Sequence, residues 1–273
     1  QKFGAVAAES TFPALVYGAF SGMALTVFNL VPSVTNMFGK SGLPCAAQSW
    51  AKGQKEAVQK QLQSVLFLTA LIALPAAGGL FCLSDSILTL LYPGQETACR
   101  IAAESLRSLL PGMVFLCFTM PLFSILQGIG RADLPVKYML PCVAVKLLGN
   151  LLFLQIPACS LLGAGLSTSL CYALLFGMTL FSLCRMLGMF PRELKPILPL
   201  CYAATMSITT AYLFRNLTRT MPLPVMLLCS VGSAVVMYGV VLLLLEKTAN
   251  RLREGLCFRM IWKSFWCPVG FAS

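Results

Sequence analysis

Residues 138–156 read YMLPCVAVKLLGNLLFLQI, an apolar run that contains a single charge. The run is close to the ~20 residues that a helix needs to cross about 30 Å of hydrocarbon. Its charge, Lys146, lies near the middle, where an ammonium costs roughly 2.5–3.5 kcal/mol. A membrane helix keeps such a residue where the charge faces protein, water or a ligand. The stretch therefore predicts a spanning helix with Lys146 on a polar path.

The composition of the whole chain agrees with this interpretation. Of its 273 residues, 58% are hydrophobic and only 11% are charged, whereas soluble domains carry about 25% charged residues. Such a chain cannot cover its surface with polar side chains. The sequence therefore predicts an all-α integral membrane protein with about seven transmembrane helices. Their approximate bounds are 12–36, 64–84, 108–129, 138–156, 159–184, 196–214 and 222–245.

The 20 lysines and arginines divide unevenly between the two sides of the predicted spans. Fourteen lie on one side, Lys146 lies within a span, and the other side has Lys2, Arg100, Arg107, Arg215 and Arg219. Since cytoplasmic loops carry the excess of basic residues, we expect a cytoplasmic C-terminus and an N-terminus outside. The net charge of +11 is thus explained by membrane topology, and nucleic acid is not expected as a partner.

Residue usage argues against an enzyme. The chain has 12 cysteines, no histidine and no C-x-x-C motif, which excludes Ser-His-Asp and Cys-His catalysis and most zinc sites. The predicted spans contain no aspartate or glutamate. We therefore expect no catalytic residue, no cofactor and no metal site.

Four polar residues are candidates for a substrate path. Lys146 and Asn150 are four residues apart, so they share one face of the fourth span. Asn29 in the first span and Gln127 at the end of the third are uncharged hydrogen-bonding groups in apolar surroundings. A structural role for Lys146, such as pairing with carbonyls or with a carboxylate of another helix, stays open.

The segments around the first two spans carry turn and packing signals. Gly18 and Gly22 form a G-x-x-x-G pair, which permits close helix packing. Residues 41–44, SGLP, predict a turn, and residues 48–63 then predict a helix on the cytoplasmic face. Residues 85–94 predict a short re-entrant or interfacial segment that ends in a turn.

Proline and glycine also mark two sites where helices bend or reverse. Pro32 lies within the first span and predicts a kink there. Between the third and fourth spans, a tight cytoplasmic hairpin is predicted around Gly128, Gly130, Arg131 and Pro135. These five residues are candidates for gating motion.

Several short motifs, taken in order, resemble a known family. They are YGAFSGMA at 17–24, SGLP at 41–44, LQGIGRA at 126–132, KLLGN at 146–150 and GAGLST at 163–168. The chain resembles stage V sporulation protein B-like proteins over roughly residues 1–245. These proteins are oligosaccharidyl-lipid flippases of the multidrug and polysaccharide exporter superfamily (MATE/MOP).

The resemblance implies an architecture of two six-helix lobes, often with two extra helices. The seven spans would match the eighth to fourteenth, which makes the chain similar to a C-terminal half. Residues 1–186 would then form a partial C-lobe bundle and residues 187–246 two additional helices. Residues 247–273 would form a basic interfacial tail. A missing N-terminal lobe or a partner half is the protein partner implied.

The function implied is flipping of a polyprenyl-pyrophosphate-linked oligosaccharide or a peptidoglycan precursor by alternating access. The partners would be this lipid-linked saccharide and the lipids of a bacterial cell membrane. Lys146 would attract the pyrophosphate as a point charge. Two alternatives remain: a cation-coupled multidrug or metabolite exporter, and a non-transporting scaffold or truncated remnant.

Overall fold

A computed structural model of the chain describes residues 12–154, 160–188, 197–218 and 222–252. Within these ranges the protein contains helices and short connections, and no strand. The first helix, α1, has three segments: Phe12–Gly18, a π-helical turn over Ala19–Ala24, and Leu25–Ala51. The others are α2 (Lys55–Leu91), α3 (Glu96–Gly128), α4 (Asp133–Leu154), α5 (Ser160–Leu187), α6 (Ile197–Leu217) and α7 (Leu223–Leu252). The predicted all-α class is confirmed.

The seven helices follow the order of the seven predicted spans. Over their described residues, six of them (α1 to α5 and α7) are long and apolar enough to cross a membrane. The chain is therefore a multi-pass membrane protein. The sixth predicted span, 196–214, corresponds to α6, which is 21 residues long; its membrane crossing stays a prediction.

Helix α3 forms the centre of the bundle. It packs against α1, α2 and α5, and most of its apolar side chains are buried. Pro111 and Pro121 lie inside α3 without ending it, because packing in a bundle of helices compensates for a missing backbone donor. The third predicted span, 108–129, lies within this helix except for its last residue.

The remaining helices lie at the two edges of the bundle. Helix α4 packs mainly against α5, while α6 and α7 pack against each other and against α2. This grouping is compatible with the predicted division into residues 1–186 and 187–246, which stays a prediction. The part of the predicted basic tail that follows residue 252 lies outside the described residues.

The turn predicted at residues 41–44 is wrong. Helix α1 continues through them to Ala51 with Pro44 inside it, and the chain reverses at Gly53, whose φ is +72°. The single helix predicted over 48–63 is thus broken in its middle. Close packing explains the difference: a Cβ added to Gly39 would lie 2.6 Å from the Cα of Pro121 on α3. Contact with α3 stabilises the helix across the turn signal.

The re-entrant segment predicted over 85–94 is also wrong. Helix α2 continues to Leu91, and only Tyr92–Gln95 connect it to α3. Asp85 remains within the helix because its carboxylate is paired with Arg107 of α3, 2.5 Å away. Because the carboxylate is paired, the helix can continue past Asp85 instead of ending before it.

The G-x-x-x-G pair does not bring two helices together in the described part of the chain. A Cβ added to Gly18 or Gly22 would meet nothing within 4 Å. Gly18 instead directly precedes the π-helical turn Ala19–Ala24, and Gly22 lies within it. The carbonyl of Gly22 accepts hydrogen bonds from Thr26 Oγ1 at 2.6 Å and from the Tyr92 hydroxyl at 3.3 Å.

Helix α2 is the longest uninterrupted α-helix in the described part of the chain, with 37 residues, or about 55 Å at 1.5 Å per residue. Two amide side chains near its beginning contact other helices. Gln59 Nε2 donates to the carbonyl of Leu187 at the end of α5, at 2.8 Å. Gln61 Nε2 donates to the carbonyl of Gly42 in α1, at 2.5 Å. The start of α2 is therefore tied to both α1 and α5.

Candidate functional site

One face of α1 carries a row of polar side chains, which we call the polar stripe: Thr26, Asn29, Ser33, Asn36 and Lys40. They recur every three or four residues, so they line one side of the helix. Asn36 is half-buried and the other four are exposed. From Thr26 to Lys40 the stripe covers about 21 Å of helix, which is most of the thickness of a hydrocarbon core.

The polar stripe retains hydrogen-bonding capacity. Thr26 and Ser33 donate to carbonyls of their own helix, so their oxygens can still accept. The amides of Asn29 and Asn36 have no hydrogen-bond partner among the described residues. Amides in contact with lipid tails would be costly. The stripe therefore faces water, a ligand or further protein.

An apolar row lies beside the polar stripe on α1. Leu30, Val34 and Met37 are 58%, 45% and 69% exposed. The other side of α1, with Val27 and Phe28, is buried against α3. The unpacked surface of α1 is thus amphipathic along its length, which suits an amphiphilic ligand.

Lys146 and Asn150 share one face of α4, as predicted, and that face is half-buried. The Oδ1 of Asn150 accepts a hydrogen bond from the hydroxyl of Ser167 on α5. Among the described residues, no carboxylate lies within 4 Å of Lys146. The face therefore points toward the α4–α5 seam.

The other path candidates lie on different helices. Asn29 is part of the polar stripe of α1, and Gln127 is exposed at the end of α3. The structure thus places Lys146 next to Asn150 only, and a shared path for all four residues stays a prediction. Pro32 is buried within α1, where its carbonyl accepts a hydrogen bond from Thr35 at 3.1 Å.

The predicted hairpin lies between α3 and α4. Gly130 has a φ of +83°, the left-handed conformation that only glycine adopts readily. Its N–H donates to the carbonyl of Gln127, and that of Arg131 donates to Leu126, which together form a Schellman motif. Gly128 packs against Leu43 of α1: an added Cβ would lie 2.9 Å from its carbonyl oxygen.

The start of α4 completes the hairpin. Pro135 is buried near the first turn, where a missing N–H is tolerated. Lys137 donates to Asp133 one turn away at 3.0 Å. The hairpin is therefore a well-formed, capped turn, and its role in gating stays a prediction.

An ionic cluster was not predicted from the sequence. Asp85 of α2, Arg107 of α3 and Arg215 of α6 lie together, with Arg215 Nη2 3.8 Å from Asp85 Oδ2. The sequence indicates only that all three residues lie on the same side of the membrane in the topology based on the basic residues. Spacing along the chain gave no indication that one carboxylate meets two arginines.

The polar side chains of α1 and α4 are suited to binding a ligand and not to catalysing a reaction. Among the described residues, no group of three or more histidine, cysteine, aspartate or glutamate side chains is placed to hold a metal ion. Amides, hydroxyls and ammonium groups at membrane depth can bind sugar hydroxyls and phosphates. The arrangement suits transport of a polar or amphiphilic molecule.

Comparison with known proteins supports a transporter fold. Residues 17–152, just under half of the chain, match the model of the MatE family, in line with the superfamily that the sequence resembles. The broad resemblance is confirmed. The stage V sporulation protein B-like branch is a finer assignment that the match leaves open.

Two relatives place the chain in context. A solved structure of the lipid II flippase MurJ, in an inward closed conformation, is similar with a TM-score of 0.63 and 17% identity, covering 88% of this chain and 48% of that chain. An uncharacterized membrane protein, MJ1068, of Methanocaldococcus jannaschii is 25% identical over 157 residues, which is 58% of this chain and 30% of that protein. The chain therefore spans about half or less of the length of these two proteins.

Proposed function

We propose that this chain forms one lobe of a flippase for a polyprenyl-pyrophosphate-linked oligosaccharide or peptidoglycan precursor. It would act by alternating access in a bacterial cell membrane, as a member of the stage V sporulation protein B-like branch. The observation that carries the proposal is the polar stripe of α1. A flippase must give a polar headgroup a wet route across the hydrocarbon, and the stripe runs along most of that distance.

The chemistry of α1 fits the two parts of such a substrate. Free amides at Asn29 and Asn36 can hydrogen-bond sugar hydroxyls, and Lys40 at one end can attract phosphate. The apolar row of Leu30, Val34 and Met37 runs beside them and can accompany a lipid tail. One helix thus offers both surfaces in parallel.

Lys146 has a second place in the proposal. Its ammonium lies at membrane depth without a carboxylate partner in the described ranges, so its charge is available to a pyrophosphate. Asn150 fixes the orientation of α4 through Ser167. Gln127 would contact the substrate near the cytoplasmic end of the path, beside the hairpin.

A complete path needs a second wall opposite α1. The chain matches about half of the lipid II flippase structure, and transporter paths form between two repeats. We propose that a further lobe, in the same gene product or in a partner, supplies that wall. The exposed amphipathic face of α1 would then border the space between the lobes.

The test is a flipping assay on the complete gene product that contains this chain. The protein would be reconstituted in vesicles with a fluorescent polyprenyl-pyrophosphate disaccharide, whose transfer is read by quenching from one side. Asn29→Leu is expected to slow transfer about tenfold, the effect of losing one hydrogen bond in the transition state. Asn216→Leu, an exposed position on α6, is the matched control and is expected to be neutral.

The assay also separates the alternatives. If the unsubstituted protein transfers no lipid-linked saccharide, the flippase proposal is wrong and a non-transporting scaffold remains as an alternative. A cation-coupled exporter would instead move drugs or metabolites in a way that depends on a proton or sodium gradient. Equal rates for Asn29→Leu and the control would exclude the polar stripe from the path.

A further inference from the structure

The ionic cluster joins three helices through one carboxylate. Asp85 of α2 meets Arg107 of α3 at 2.5 Å and Arg215 of α6 at 3.8 Å. All three side chains are 30–40% exposed, so they are partly shielded from water. Both arginines use the same oxygen of Asp85, and removal of this single group would affect both contacts.

Backbone carbonyls of α2 strengthen the same junction. Arg215 donates to the carbonyl of Cys82, and Arg107 Nε donates to that of Phe81 at 3.4 Å. One turn nearer the middle of α2, Gly78 leaves a notch that is filled by Ile208 of α6. The Arg215 end of α6 is therefore held by polar contacts to α2, next to a shape-matched contact.

The other end of α6 is held differently. Leu200 is fully buried in an apolar cluster with Leu62 and Leu66 of α2 and Leu183 of α5. The next turn, with Ala203 and Ala204, packs on Leu71 and Leu74 of α2 and on α7. This end contributes hydrophobic burial, and the described contacts there include no ion pair.

An anion site is the main competing interpretation of two neighbouring arginines. The exposed face of α3 that carries Arg107 also carries Glu96, Arg100 and Glu104. With Asp85 and Arg215, the described residues of this region include three acids and three arginines, so their charges balance. A balanced cluster does not concentrate phosphate, whereas it can hold helices together.

We infer that Asp85 is the centre of a clamp that fixes the Arg215 end of α6 to α2 and α3. Because α7 is tied to α6 through the hydrogen bond from Ser207 Oγ to the Ala234 carbonyl, at 2.9 Å, the clamp holds the α6–α7 pair against the bundle. The Leu200 end stays attached by apolar packing when the clamp opens. Loss of the clamp therefore loosens one end of α6 and not the other.

The test is amide hydrogen exchange of the full chain in lipid nanodiscs, read by mass spectrometry. Asp85→Asn is expected to accelerate exchange about tenfold in residues 209–217, as loss of a charged hydrogen bond allows local opening. Residues 200–206 are expected to exchange as in the unsubstituted protein. This contrast between the two halves of α6 distinguishes a local clamp from general destabilisation.

Two further variants keep the experiment decisive. Arg215→Gln preserves the Asp85–Arg107 pair and is expected to give the same contrast, even if Asp85→Asn fails to fold. Asp133→Asn removes an exposed ion pair within α4 and is expected to leave α6 unchanged. Unchanged exchange in 209–217, or equal acceleration in both segments, would overturn the clamp.

Discussion

The side-chain oxygen of Asn150 on α4 accepts a hydrogen bond from the hydroxyl of Ser167 on α5. The two helices approach closely at the same point, since a Cβ added to Gly149 would lie 2.9 Å from Ser167 Cβ. Helix α4 has its main described contact with α5. This area is one of several contacts between α4 and α5, together with the Tyr138–Ser182 hydroxyl pair and the packing of Cys142 on Cys171, and it is the one nearest to Lys146 along α4.

Ser167→Ala is expected to weaken the attachment of α4 to α5. The substitution leaves the half-buried amide of Asn150 without its donor, at a cost of about 1–3 kcal/mol. Chemical denaturation in detergent micelles would show the lower free energy of unfolding. Ser41→Ala, which removes an exposed hydroxyl bonded only to its own helix, should change little, and an equal effect of both variants would contradict the prediction.

Gly39→Ala is expected to separate α1 from α3. The new methyl would lie 2.6 Å from the Pro121 Cα, and backbone atoms cannot move aside as a side chain can, so we expect a loss of about 1–3 kcal/mol. Gly177→Ala on α5, where nothing lies within 4 Å, is the matched control. It is expected to be neutral or slightly stabilising, because alanine favours helix. Thermal unfolding of the two variants in the same detergent would decide.

Gly130→Ala is expected to destabilise the hairpin between α3 and α4. An alanine at a φ of +83° costs about 1–2 kcal/mol. Gly130→Asn should recover part of this loss, since asparagine tolerates the left-handed region better. Limited proteolysis at Arg131 would report the opening of the turn, and identical cleavage of both variants would argue against a backbone cause.

Lys146→Met separates the two roles that the sequence left open for this residue. Methionine preserves the apolar stem and removes the charge. If Lys146 lines the path, the free energy of unfolding should stay constant or rise, because a costly buried charge is gone. Flipping of the lipid-linked saccharide by the complete gene product should fall about tenfold. If the free energy of unfolding falls strongly together with flipping, Lys146 has a structural partner instead. Lys137→Met, at an exposed position, is the control.

The sequence predicted the helices well because apolar length decides membrane helices. The predictions failed where contacts between helices determine where a helix ends. Pro44 looked like a turn, yet the contact of Gly39 with α3 keeps α1 helical there. Asp85 looked like the end of a span, yet Arg107, 22 residues later, retains it within α2. Both errors come from partners that are distant in sequence and invisible to a local pattern.

Only part of the candidate site could be predicted, because the rest depends on how the helices pack. Asn29 stood out as an amide in an apolar run, but its continuation through Thr26, Ser33 and Lys40 became evident only once exposure was known. The shared face of Lys146 and Asn150 followed from their spacing of one helical turn. That this face meets α5 depends on how two helices pack, which spacing does not determine.

Helix α2 reaches further than a bilayer is thick, about 55 Å against roughly 30 Å of hydrocarbon. Its first turns contact Gly42 of α1 through Gln61 and the end of α5 through Gln59, and its far part holds Arg107 and Arg215 through Asp85. One helix therefore joins the packing of α1 and α5 near one end of the bundle to that of α3 and α6 near the other.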